Sequence, residues 1–188
     1  MKTLFRHHKR LAMTVIFTTL GFLSGAVQAD SAAQIDREVD AALASLYEST
    51  PAAKELAPQA LGILVFPNII KAGLGIGGQY GEGALRQNDA TTGYYRSTAV
   101  SYGLQAGAQS FGYVLFFMKP DALGYLDSSD GWEIGIGPSV VVVDEGVART
   151  LTTTTAKDDI YAFIFSQKGL MAGMGIQGSR IKKIDPDS

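Results

Sequence analysis

The chain has 188 residues, 46% of them apolar and 18% charged, a balance that suits one compact domain and excludes disorder, a coiled coil or a collagen-like repeat. Sixteen basic residues stand against eighteen acidic ones, but Lys2, Arg6, Lys9 and Arg10 all fall within the first ten positions. Everything after residue 29 therefore carries twelve basic and eighteen acidic residues, a formal charge of −6, which argues against a nucleic-acid partner because counterion release needs a basic footprint.

The basic start is followed by an uncharged run over 11–29, with an apolar centre at 11–23 and small residues at Val27 and Ala29. This is the pattern of a secretory signal peptide, residues 1–29, cleaved before Asp30. Thr14, Thr18, Thr19, Ser24 and Gln28 make the run a poor bilayer span. The expected location is the periplasm, either free or peripheral to a membrane. Cleavage removes His7 and His8, the only histidines, and the chain has no cysteine. The mature chain thus lacks the residues for a Ser-His-Asp or Cys-His site, a thiolate, a disulfide, a lipidated cysteine or an ordinary zinc site. No cofactor and no metal are expected.

From Ser31 to Thr50 the apolar residues Ile35, Val39, Ala42, Leu43 and Leu46 recur at helical spacing, with Asp36, Arg37, Glu38 and Asp40 between them. An amphipathic helix follows, capped by Asp30 or Ser31 and stopped by Pro51. A second short helix is expected over 51–57, so that 30–58 forms a helical segment before a β-rich domain at 59–188. Beyond Pro58 the period becomes two, and strands are expected at 61–66, 71–85, 93–109, 113–118, 132–143, 147–155, 160–166 and 170–184. A short helix fits 120–126. The fold class is α+β: a curved, largely antiparallel, glycine-rich sheet, barrel- or sandwich-like, with an N-terminal amphipathic helix and short flanking helices.

Four glycine-rich runs punctuate this body: 72–77, 102–107, 133–137 and 172–176. In a strand, Leu74, Ile76 and Gly78 point one way, while Gly73, Gly75 and Gly77 present bare backbone on the other. Strand glycine costs roughly 0.5–1 kcal/mol relative to alanine, so these runs need a compensating use, in tight bends or in close approach by another backbone or a ligand. Gly73, Gly75, Gly77, Gly173 and Gly175 are the candidate positions. Two runs match G-x-G-x-x-G, at Gly73/Gly75/Gly78 and Gly173/Gly175/Gly178, but neither opens a helix that would hold a pyrophosphate.

Carboxylates offer the only conventional catalytic material: Asp127/Asp130, Glu133, Asp144/Glu145 and Asp158/Asp159. Two of them at glycosidase spacing would suffice for hydrolysis, yet all but Glu133 fall where turns are expected. The basic residues gather late, at Lys168, Arg180, Lys182 and Lys183, with Arg180 and Lys182 on one strand face and Ile181 and Lys183 on the other. Such a cluster suits phosphate head groups or, alternatively, protects a solvated sheet edge. With Lys71 and Arg96 it forms the candidate lipid-binding set.

The ordered residues Gly62-Ile63-Leu64-Val65-Phe66-Pro67, Ile70-Lys71-Ala72-Gly73 and Gly77-Gly78-Gln79-Tyr80-Gly81-Glu82-Gly83 resemble the opening of the SYLF domain. Tyr94-Tyr95, the stretch 101–109, Trp132-Glu133 and Phe165-Ser166-Gln167-Lys168-Gly169-Leu170 continue the resemblance in order. It implies a lipid-binding module, related to a yeast actin-regulator domain and similar to exported bacterial members of the cell envelope. Eukaryotic members of this resemblance engage phosphoinositide membranes through a basic helix. Here the first helix carries Asp36, Glu38, Asp40 and Glu48 against Arg37 alone, a charge that anionic lipid repels. The expected function is therefore a periplasmic, non-catalytic module whose partner is phospholipid or a membrane surface. Two alternatives remain: a structural envelope component that binds protein through a sheet edge or the amphipathic helix, and a carboxylate-based hydrolase using Glu133.

Overall fold

The computed structural model describes residues 31–152, 154–169 and 175–187, with the side chains of 103–106, 145, 146 and 169 excepted. Residues 1–29, the expected signal peptide, and Gly173 lie outside the described residues. Helix α1 (Ala32–Ser49) begins at Ser31, whose hydroxyl accepts the Gln34 backbone N–H at 3.3 Å. Pro51 opens α2 (Pro51–Leu56), and its missing N–H costs nothing in a first helical turn.

The body is dominated by two very long strands, β1 (Gly62–Gln87) and β2 (Ala90–Phe117), joined by a tight turn at Asn88 and Asp89 with φ of 50° and 62°. Both turn residues are left-handed, as a two-residue hairpin turn requires, and Asn and Asp tolerate that region best. The four strands expected at 61–66, 71–85, 93–109 and 113–118 are thus two, because Pro67 and Asn68 form a bulge between Phe66 and Ile69 rather than an end. β1 pairs on one side only, so a proline without an N–H is tolerated there.

Extended, 26 residues at ~3.3 Å each would run roughly 85 Å, about twice the breadth of a compact domain of this size. The hairpin must therefore double over, and it does so around Gly75, whose φ is +76° and where the register shifts between Leu74 and Ile76. The two halves of β1 then meet. A Cβ on Gly73 would lie 2.4 Å from the Gly77 Cα, one on Gly81 2.5 Å from the Asn68 carbonyl oxygen, and one on Gly83 1.9 Å from the Val65 carbonyl oxygen.

The other side of β2 pairs in two places. Its start carries β6 (Arg180–Ile184), on which β3 (Trp132–Glu133) pairs in turn, and its end carries β5 (Ile160–Gly169), flanked by β4 (Val140–Val142). All pairings are antiparallel except β4 with β5, which is parallel. Among the described residues this gives a curled six-stranded sheet with helices packed against both of its faces, an α+β fold of the kind expected.

The concave face encloses Leu64, Phe66, Tyr113, Leu115, Trp132 and Ile181, among others. On the convex face α1 lies across the seam of the doubled strand, burying Ile35, Val39, Ala42 and Leu46 with Val65, Ala84, Val114 and Phe116. Burial of each larger side chain contributes roughly 1.5–3 kcal/mol. The apolar stripe of α1 is consumed by this packing, which leaves it unavailable for a partner protein.

Three expected strands are corrected. The segment 147–155 contains no strand among its described residues: Asp144 caps a helix, α4 (Glu145–Thr150), by accepting the Val147 N–H at 2.8 Å. The threonines that follow bond locally instead of joining a ladder, with the Thr155 hydroxyl donating to the Thr150 carbonyl at 2.7 Å. Within 132–143 only Trp132–Glu133 and Val140–Val142 are strand, because Gly135 and Gly137 take φ of 106° and 90° and break the alternation. Within 170–184 the described strand is Arg180–Ile184, preceded by a turn with Gly178 at φ 74°. The helix expected over 120–126 is α3 (Pro120–Gly124), continued as a short 3-10 turn, Tyr125–Asp127.

Candidate functional site, a convex face at the fold of the hairpin

Doubling a strand pushes the glycine side inward and the alternate side chains outward. Leu74 and Ile76 flank the bend on its convex side, and Tyr102 and Val100 stand opposite Ile76 and Gly78 on β2. Cross-strand partners share a face, so Ile76, Val100 and Tyr102 form one patch with Leu74 beside it. These four side chains are 84% (Leu74), 64% (Ile76), 68% (Val100) and 78% (Tyr102) exposed. Isolated exposed leucines are ordinary, but four large apolar groups on contiguous positions of one bend are not.

The same face of β2 carries cations as it leaves the bend. Arg180 stands opposite Thr98 and Lys182 opposite Arg96, so Arg96, Arg180 and Lys182 share the side of the sheet that carries Val100 and Tyr102. At ~3.3 Å per residue, Arg96 lies roughly 13 Å along β2 from Val100. On the other side of the fold, Ile70, Ser110 and Lys168 make a three-strand row, and Lys71 stands opposite Gln109 in the next. Lys183 faces the opposite way, against Tyr95. The candidate set is thus divided by the sheet: Arg96, Arg180 and Lys182 come together, Lys71 and Lys168 flank the fold, and Lys183 stands apart.

These cations are not equivalent. Arg96 is held by Glu82, whose carboxylate accepts from its Nε at 3.1 Å and its terminal nitrogen at 2.8 Å, and the guanidinium sits 5.4 Å over the Tyr80 ring. The Glu82 side chain is only 3% exposed, and that of Arg96 39%. The bond to Glu82 raises the Arg96 pKa above its ordinary value. Burial, the hydrogen bond donated to Glu82 at 2.5 Å and the carboxylate's charge raise the Tyr80 phenol. Arg180 approaches Glu133 at 3.6 Å with more than half of its side chain exposed. Lys71, Lys168, Lys182 and Lys183 make no ion pair among the described residues.

The glycine candidates also separate. Neighbouring backbone occupies the space beside Gly73 and Gly77, whereas nothing stands within 4 Å of a Cβ on Gly75 or Gly175.

Several carboxylates considered for catalysis have structural partners instead. Asp144 caps α4, and Asp158 accepts the Tyr161 hydroxyl at 3.2 Å. Asp159 takes the Lys119 ammonium at 2.7 Å and both the N–H and hydroxyl of Ser139, at 2.8 and 3.0 Å, which hold its carboxyl down to about 2. On the first helix, Asp36 accepts from Thr91 at 2.7 Å and Tyr94 at 2.9 Å, and Asp40 accepts from Arg86 at 2.7 Å. Asp36 and Asp40 of α1 are therefore engaged near the hairpin turn, nine or more residues along β1 from Gly75. No group of three metal-binding side chains occurs among the described residues.

Residues 98–186 match the family model described as Ysc84, a Las17-binding protein actin regulator. The match over this segment is consistent with a SYLF domain, a family of lipid- or actin-related binding modules. The match spans most of β2 through β6; α1 and β1 precede it. No curated protein sequence matches the chain.

Proposed function

We propose that this protein is a non-catalytic module of the cell envelope, periplasmic after loss of residues 1–29, that binds anionic phospholipid at a membrane surface. The observation that carries the reading is the shared face of Arg180, Lys182 and the apolar groups Val100 and Tyr102. Cations near an anionic lipid surface contribute about 1 kcal/mol each, so the pair adds roughly 2 kcal/mol of attraction on this face although the chain beyond residue 29 is acidic. Glu133 faces the Arg180 guanidinium at 3.6 Å, a pairing that favours the binding reading over hydrolysis.

The test is sedimentation with vesicles of phosphatidylglycerol and phosphatidylcholine. Binding is expected to saturate, to weaken with salt as surface charge is screened, and to weaken further in Arg180→Ala/Lys182→Ala. Lys183→Ala, on the other face, is expected to change it less. Absence of binding to vesicles of any anionic content refutes the proposal.

A further inference from the structure

We infer that the Gly75 fold is a membrane-inserting edge: Leu74, Ile76, Val100 and Tyr102 enter the acyl region while Arg180 and Lys182 on one flank, and Lys168 on the other, meet lipid phosphates. The inference rests on the lipid-binding reading and adds the depth and orientation of docking. Charge complementarity identifies the occupant. Arg180, Lys182 and Lys168 flank the apolar patch, the carboxylates of that face are each matched by a cation, Glu82 by Arg96 and Glu133 by Arg180, and Asp36 and Asp40 are tied to Arg86, Thr91 and Tyr94 around the far turn of the hairpin. A second copy of the same cationic face would be repelled; an anionic surface with an apolar interior complements both parts.

The geometry gives a physical reason for the arrangement. At an ordinary strand position an apolar residue gains by turning into the core. Here the inward side is closed by the contact of Gly73 with Gly77, so side chains at 74 and 76 have only the outward direction. Leu74 is 84% and Tyr102 78% exposed, and a tyrosine suits the boundary between head groups and acyl chains.

The absence of cysteine allows a direct test. Single cysteines replacing Leu74 or Val100, and a control replacing the exposed Asp127, are labelled with an environment-sensitive fluorophore and mixed with the same vesicles. The expected result is a blue shift and protection from an aqueous quencher at 74 and 100 but not at 127. Leu74→Ser/Val100→Ser is expected to retain the unfolding midpoint of the parent and lose vesicle affinity at least tenfold. Four results overturn the inference. Sedimentation without a shift at 74 or 100, or unchanged affinity in the serine variant, refutes insertion and leaves surface binding standing. A shift that depends on protein concentration without vesicles shows that a second copy covers the patch. Failure to sediment at all removes the lipid reading and this inference together.

Discussion

The doubled strand makes a prediction with opposite signs at two glycines five residues apart. A Cβ at Gly83 would stand 1.9 Å from the Val65 carbonyl oxygen and 2.8 Å from its carbon, whereas contacts under 3.0 Å are essentially never seen. The two halves of β1 would have to part by about an ångström, and the obstacle is main chain, which has no rotamer to change. Overpacking of this kind costs about 1–3 kcal/mol, toward the upper end for backbone, and alanine returns roughly 0.5–1 kcal/mol through strand entropy. Gly83→Ala is thus expected to destabilise by about 2 kcal/mol. Gly78, by contrast, meets nothing within 4 Å and has no positive φ, so Gly78→Ala is expected to stabilise by about 0.5 kcal/mol. In urea, with a slope of about 2 kcal/mol/M, the midpoints would move by about 1 M downward and a few tenths upward. By heat, the first corresponds to a fall of roughly 4–8 °C. Equal midpoints for Gly83→Ala and the parent, or equal damage from both substitutions, would show that the halves of β1 do not meet as described.

Other outcomes follow from single contacts. Asp159 titrates near 2 when folded against 3.8 for a free side chain, so its stabilising contribution is full above about pH 4 and is lost as pH falls toward 2. Asp159→Asn is expected to flatten the acid limb of stability in that window, read by chemical denaturation at successive pH values. Leu46→Ala removes a fully buried side chain between α1 and the sheet and is expected to cost about 2–5 kcal/mol; a loss below 1 kcal/mol would mean α1 is not packed. Tyr113→Phe deletes the hydroxyl that donates to Ser97 at 2.8 Å in the core and is expected to cost about 1 kcal/mol, much of which Ser97→Ala in the same chain should return.

The helix α1 was legible because its apolar positions keep three- and four-residue spacing through to Leu46 and end at Pro51. The division of β1 was legible too: alternation alone assigns Leu74 and Ile76 to one side and Gly73 and Gly77 to the other. What alternation does not contain is the point at which a strand reverses, since a period of two reads the same through a straight strand and a folded one. The continuity of β1 through Pro67 was hidden for a related reason, as proline ends a central strand but not an edge. The segment 147–155 misled because β-branched Val147 and the threonines from Thr150 on suit a strand by composition, while the cap at Asp144 opens a helix instead. The partnership of Glu82 with Arg96 had a signal that was missed. Counting outward from a two-residue turn at Asn88 and Asp89 brings the two strands to these positions, with one bulge between Leu85 and Arg86 to offset the count.

That partnership also separates two roles that a list of cations merges. Arg96 shares a face with Lys182, yet its charge is balanced by a carboxylate that is almost wholly buried, so it serves the sheet before it can serve a lipid. Neutralising the carboxylate should reverse the order. Glu82→Gln keeps the shape, and its amide can still meet the Tyr80 hydroxyl, but the charge-assisted bonds to Arg96 weaken, and stability is expected to fall by about 1–2 kcal/mol. The released guanidinium, already 39% exposed, then adds its charge to that of Arg180 and Lys182. At about 1 kcal/mol per basic residue near an anionic surface, vesicle affinity is expected to rise up to about fivefold. A less stable protein that binds membranes more tightly is an outcome that general damage to the fold does not produce. Unchanged affinity in a folded Glu82→Gln protein would mean that lipid phosphates never approach the face bearing Arg96, and the docking surface would have to be sought elsewhere.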